Sequence, residues 1–239
     1  MWNKLQKLLV FIVLLSFNCC DYDDYKEDVI LDILTHTTDK RLKSYDAVPV
    51  NKKQMLWNEE FDNNNSKFPF DITEIQEVFN NYTTATLENG VLTISMDSIW
   101  QKIFEIPICF EPNKNYEIEI KYKYEKQNPD LLHIILQSDN GLCLYKYFPI
   151  SRDKEVIWLA DFFYDKLEYI YYRNSDIFWN DNDFNTITIR KIGYKFSIFI
   201  NHKIYHIVDI ENDTLKTLKL VVNNGTNMFD YIRVQYIND

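Results

Sequence analysis

The run Tyr116-Glu117-Ile118-Glu119-Ile120-Lys121-Tyr122-Lys123-Tyr124 alternates without a break. Successive side chains of a strand point to opposite sides, so Tyr and Ile share one face and Glu and Lys the other. A helix of period 3.6 would scatter the same residues around its surface. The pattern predicts an antiparallel strand with one dry and one wet face. From about Met55 nearly to the end, period two recurs around Thr83 to Leu87, Val91 to Met96, Leu131 to Gln137, Leu142 to Phe148, Thr186 to Arg190, Lys195 to Ile200, Lys203 to Val208, Leu218 to Val222 and Tyr231 to Tyr236. Asn89-Gly90, Asn140-Gly141 and Asn224-Gly225 read as hairpin turns, and Gly193 separates two β-type runs. So many short strands imply a large antiparallel β-sandwich. The aromatic stretch from Trp158 to Trp179 breaks the rhythm and is expected to run as a long excursion over one edge or face of the sandwich.

A chain of 239 residues needs no more than one sizeable domain. Hydrophobic residues at 46% and aromatics at 16% exclude a disordered protein in spite of a net charge of −10. The same acidity argues against nucleic acid, whose phosphates require clustered Lys and Arg.

The N-terminus carries an address. Lys4 and Lys7 precede an apolar run from Leu8 to Leu15, and Ser16 and Asn18 follow before Cys19-Cys20. This is the layout of a secretory signal peptide, and the run falls short of the roughly 20 residues that cross a bilayer. A cysteine at the end of such a run resembles the lipobox of bacterial lipoproteins, which implies a diacylated mature N-terminus at Cys20 (or Cys19). Phe17 or Ser16 stands where the family has Leu, and Asn18 or Cys19 where it has Gly or Ala, so the choice of cysteine stays open. A plain signal peptide with incidental cysteines is the other reading. The acidic run Asp21 to Asp28 predicts a solvated, extended tether. It also resembles the surface-export signal of Bacteroidota lipoproteins, which implies an outer-membrane address; a solubilising spacer reads equally well. Val29, Ile30, Ile33, Leu34 and Leu42 fit a short helical face. The expected division is a signal peptide over 1–19, a tether with a short helix over 20–54, and a sandwich over 55–239.

Candidate chemistry is sparse. Trp158, Tyr171, Tyr172, Arg173, Asn174, Trp179 and Asn180 combine aromatic rings with polar groups, the mixture on which sugar rings stack and hydrogen-bond. A protein-binding surface uses the same residue types. Asp181 and Asp183, with Asn182 between them, offer oxygen ligands for Ca²⁺ or simply form a turn, and no EF-hand spacing accompanies them. His202 and His206 have no cysteine or third histidine nearby, which disfavours zinc, and no Gly-x-Ser-x-Gly elbow is present. No cofactor is expected. Cys109 and Cys143 are read as buried thiols, their pairing left open.

Taken together, several segments resemble the concanavalin A-like lectin and glucanase jelly-roll superfamily. Leu56-Trp57-Asn58-Glu59-Glu60-Phe61-Asp62 is similar to its opening strand and the segment Leu87 to Ile94 to its next hairpin. Tyr116 to Lys123 looks like its long central strand. Thr188-Ile189-Arg190-Lys191 and Phe196 to Lys203 look like a later hairpin, and Met228 to Val234 like the final strand that returns beside the first. The resemblance covers roughly Met55 to Asn238 and implies a two-sheet jelly roll whose concave face holds a saccharide in many members. Hydrolases of the group carry Glu-x-Asp-x-x-Glu or Glu-x-Asp-x-Glu on one strand, at retaining separation. This chain has only Glu117-x-Glu119, with Lys121 and Tyr122 beyond it. The expectation is therefore a lipid-anchored envelope protein with a non-catalytic, carbohydrate-binding sandwich. A protein-interaction lipoprotein, such as an accessory subunit or an immunity factor, is the alternative, and a glycoside hydrolase comes third.

Overall fold

The computed structural model describes residues 37–62, 83–96, 102–111, 113–125, 132–138, 143–147, 159–163, 166–170, 180, 182–209, 215–222 and 225–239. Lys40 to Asp239 form one compact unit. It opens with a helical turn, α1 (Lys40–Lys43), and 3-10 turns at Tyr45–Ala47 and Val50–Lys52. The strands are β1 (Lys53–Glu59), β2 (Thr83–Glu88), β3 (Val91–Met96), β4 (Lys102–Ile106), β5 (Asn115–Glu125), β6 (His133–Ser138), β7 (Cys143–Tyr147), β8 (Leu159–Phe163), β9 (Lys166–Ile170), β10 (Asn185–Ile192), β11 (Lys195–Ile200), β12 (Lys203–Asp209), β13 (Leu215–Val222) and β14 (Gly225–Ile237). They form two antiparallel sheets. One runs β12-β11-β10-β5-β14-β3-β2, with β1 also paired to β14; the other runs β4-β13-β6-β7-β8-β9. Among the described residues no helix is long and apolar enough to cross a membrane.

The expected jelly-roll sandwich is what forms. The strict alternation of β5 sends Tyr116, Ile118, Ile120 and Tyr122 into a core that they share with Phe229 and Val234 of β14, Ile187 and Ile189 of β10, and Phe104, Leu218 and Leu220 of the opposite sheet. Each such side chain contributes about 1.5–3 kcal/mol of burial energy, so this interface dominates the fold. Asn89 and Gly90 join β2 to β3 with φ of 54° and 76°. Both positions of that two-residue turn lie in the left-handed region, which Asn and Gly tolerate best. The final strand does return beside the first, with Lys53 opposite Ile237 and Glu59 opposite Ile232.

Five details differ from the sequence reading. The Glu and Lys face of β5 is not simply wet: Glu117 is 0% exposed and Glu119 5%, because the turns before β1 cover that half of the sheet. For the same reason the compact unit begins at Lys40, so Lys40 to Gln54 belong to the sandwich and not to a free tether. The aromatic stretch after Trp158 adds a hairpin to the sheet, β8 and β9, where an excursion was expected. The hairpin expected at Asn224-Gly225 does not form, because Gly225 opens β14 in the eight-stranded sheet whereas the preceding β13 belongs to the six-stranded one. Cys109 is exposed. It sits in the extended segment after β4, where Ile108 and Phe110 take the inward positions.

Candidate functional site

The outer face of the eight-stranded sheet carries a charged cluster built on three neighbouring strands. Register places Arg190 of β10 opposite Glu117, Thr188 opposite Glu119, and Arg233 of β14 on the other side of Glu119. Arg190 is fully buried. Its Nε donates to Glu117 Oε2 at 2.6 Å, and Lys53 Nζ donates to Glu117 Oε1 at 2.5 Å. The rest of the guanidinium reaches backbone: Nη1 donates to the carbonyls of Arg41 (2.7 Å) and Ser44 (2.9 Å), and Nη2 to that of Tyr45 (2.6 Å). These carbonyls end α1 and begin the next turn, where helix geometry leaves acceptor capacity to spare; that of Ser44 also accepts from the Ala47 amide.

Glu119 accepts from the Tyr45 hydroxyl at 2.5 Å, the Tyr231 hydroxyl at 2.9 Å and Thr188 Oγ1 at 3.4 Å. Burial, and then the hydrogen bond to Glu119, push the Tyr45 phenol well above the ordinary tyrosine range. Burial and the nearby Glu119 charge raise Tyr231 in the same way. The Tyr45 ring stacks on His202 at a centroid distance of 4.0 Å and meets Phe199 edge-on. Further along, Arg233 grips Glu60 through two bonds of 2.8 and 3.0 Å and lies over the Tyr231 ring. That grip holds the Glu60 carboxyl below its usual range and raises Arg233.

Glu117 and Glu119 thus share a face, as i and i+2 on a strand must, yet both are committed to internal partners. The cluster is a structural polar network, and buried polar groups paired in this way confer definition on a face more than they offer chemistry.

The six-stranded sheet differs. On β13, Leu218 and Leu220 enter the core, and their partners in register, Leu136 and Ile134, enter it with them. The intervening positions face away from it. Lys219 is opposite Glu105 on one side and Ile135 on the other, and the same row continues in register through Tyr145, Ala160 and Tyr169. His133 and Tyr147 form the neighbouring row on one side, and Gln137, Cys143, Phe162 and Leu167 the neighbouring row on the other. The exposed Ile103 sits opposite Val221 on the β4 side. Sequence reasoning missed Tyr145 and Tyr169: β7 and β9 are short, and only the hydrogen-bond register shows their tyrosines in one row.

Of the residues expected to bind a ligand, Trp158, Tyr171, Tyr172, Arg173, Asn174 and Trp179 lie outside the described residues, as do Asp181 and both N-terminal cysteines. Asn180 and Asp183 are described and exposed. Asn180 Oδ1 accepts from the Asn182 amide and Asp183 Oδ1 from the Phe184 amide, at 3.0 and 2.7 Å. The buried Asn185 side chain closes this turn, accepting from the Asn180 amide and donating to the carbonyls of Asn180 and Asp183. Among the described residues no three His, Cys, Asp or Glu side chains gather as a metal site would require.

No protein-family profile and no curated protein sequence matches the chain. Solved structures do. An endo-β-1,3-glucanase from Pyrococcus furiosus superposes with a TM-score of 0.56 at 15% identity, covering 78% of this chain and 96% of that one. The laminarinase catalytic domain from Thermotoga maritima gives 0.54 at 16% identity, covering 79% and 99%. The CBM2 module of the evolved Dit protein of Lactobacillus casei phage J-1 gives 0.54 at 10% identity, covering 79% and 97%. The class these likenesses define is the jelly-roll β-sandwich of glucanases and carbohydrate-binding modules, a statement about fold.

Proposed function

We propose that this chain is a non-catalytic, carbohydrate-binding β-sandwich, held at a bacterial envelope by a lipid on Cys20 (or Cys19). The observation that carries the reading is the contrast between the two outer faces. The eight-stranded sheet commits its carboxylates to Arg190, Lys53, Tyr45 and Tyr231, whereas the six-stranded sheet sets Tyr145 and Tyr169 two strands apart in a single row. Strands are spaced by about 4.8 Å, which puts the two positions about 10 Å apart. Such a spacing suits alternate sugar rings of an extended glycan lying across the strands. Tyr145 and Tyr169 would stack on the rings, and Trp158, Tyr171, Tyr172, Arg173, Asn174, Trp179 and Asn180, next to β8 and β9 in the chain, would supply the remaining contacts. The named likenesses to glucanases and to a carbohydrate-binding module support this reading.

The test is a polysaccharide panel against the chain from Asp21 to Asp239, with Ca²⁺ and with chelator, so that the Asp181 and Asp183 reading is examined in the same assay. Saturable binding that Tyr145→Ala weakens is expected; a folded sample that binds no glycan overturns the proposal. The lipid is tested by the mass of the N-terminal peptide and by release of Cys20→Ala into the soluble fraction. A protein partner is the second reading, favoured by the exposed Ile103 on the outer face of the same sheet, opposite the buried Val221.

A further inference from the structure

The turns that precede β1 are held to the sandwich by side chains and not by strand pairing. From Lys40 to Val48 the segment pairs with no strand of either sheet. It is gripped by side chains: Arg190 holds three of its carbonyls, Glu119 its tyrosine hydroxyl, and Asp239 its Arg41 at 3.0 Å. Beneath it, the ladders linking β11, β10, β5 and β14 are complete without it. Its buried apolar side chains, Leu42 and Val48, stand outside the main core, as does Phe199 of the sheet below. Pro49 follows, in the extended conformation at φ −70° and ψ 151°.

We propose that Lys40 to Val48 form a releasable strap, which docks and undocks as a unit while the sandwich stays folded. Undocking uncovers the few apolar side chains Leu42, Val48 and Phe199 together with charged groups that water solvates well, and the Glu117 pairs with Arg190 and Lys53 and the bond from Tyr231 to Glu119 remain in place. Nothing in the main core is opened. A polar, side-chain-mediated contact of this kind belongs with the adjustable interfaces between parts of a chain, and such elements open below the free energy of global unfolding. Release lengthens the segment leading into the sandwich by nine residues, about 30 Å of extended chain, and bares the Glu117, Glu119 and Arg190 face.

Amide hydrogen exchange on the intact chain under native conditions tests this. The Ser44 and Ala47 amides, which bond to the carbonyls of Lys40 and Ser44, are expected to exchange about a hundredfold or more faster than those of β5 and β14. Ile120→Val trims one buried methylene from the main core, so it should speed β5 and β14 exchange about three- to tenfold and leave strap exchange unchanged, because the strap undocks with the core intact. Equal protection of strap and β5 in the parent chain, or an Ile120→Val effect of the same size in both, would overturn the proposal by showing that the strap opens only when everything does.

Discussion

The two faces of the eight-stranded sheet are made by the same strands and held by different physics. Inward, Tyr116, Ile118, Ile120 and Tyr122 meet side chains of the other sheet, and their energy comes from area removed from water. Outward, Glu117, Glu119 and Arg190 meet a strap of backbone carbonyls and a phenol, and their worth lies in geometry. Desolvating these charges costs about as much as their pairing returns, so the outer face contributes little net stability while one missing partner costs much. The difference teaches that alternation reports which residues share a face, and leaves open whether water or protein covers it.

The largest effect should come from the inner face. Phe229→Ala removes a fully buried ring and is expected to cost about 3–5 kcal/mol in urea unfolding. On the outer face, Arg190→Met leaves Glu117 with Lys53 alone and takes a charged donor from three strap carbonyls, an expected loss of about 3 kcal/mol. The double change Arg190→Met with Glu117→Leu should recover part of that loss, because no half-paired buried carboxylate remains. If the single and double variants are equally destabilised, the distinction between the faces fails. Arg41→Ala breaks the exposed pair with Asp239 and should change stability by about 0.5 kcal/mol or less.

Acid and base sharpen the same contrast. Tyr45 and Tyr231 have raised pKa values in the folded state, so the stability they contribute is complete below the unfolded tyrosine value of about 10 and is lost as pH rises beyond it. Tyr45→Phe and Tyr231→Phe should each flatten the alkaline limb of a stability profile. Glu60 is lowered by its bonds to Arg233. Its contribution is complete above the ordinary glutamate value of about 4.3 and falls away at lower pH, as the pH descends through the depressed folded value. Glu60→Gln should remove that small acid-side dependence, reduced by the partial exposure of the pair.

How much of this was legible in the sequence follows from which signals are local. The alternation of β5, the Asn89-Gly90 turn and the closing strand beside the first are patterns within a few residues of one another, and each was readable. The hairpin of β8 and β9 was not, since its aromatic residues sit among Asp and Lys without a turn signal such as Asn-Gly. Asn224-Gly225 carries that signal, yet there the chain passes between sheets, because turn chemistry permits a reversal without choosing the partner strand. The strap was invisible for a stronger reason. Arg190 binds carbonyls of residues about 145 positions away, and a carbonyl has no sequence identity. Tyr145 and Tyr169 share a row only through the register of three strands, while most of the aromatic residues first singled out lie outside the described residues.

The central proposal is that the outer face of the six-stranded sheet binds glycan. Affinity electrophoresis through polysaccharide gels tests it most directly, comparing the parent chain with Tyr145→Ala plus Tyr169→Ala and with Tyr231→Phe on the opposite face. The account predicts retardation of the parent and of Tyr231→Phe, and its loss in the double variant with folding retained. Retardation that survives in the folded double variant, or that Tyr231→Phe abolishes, would contradict it.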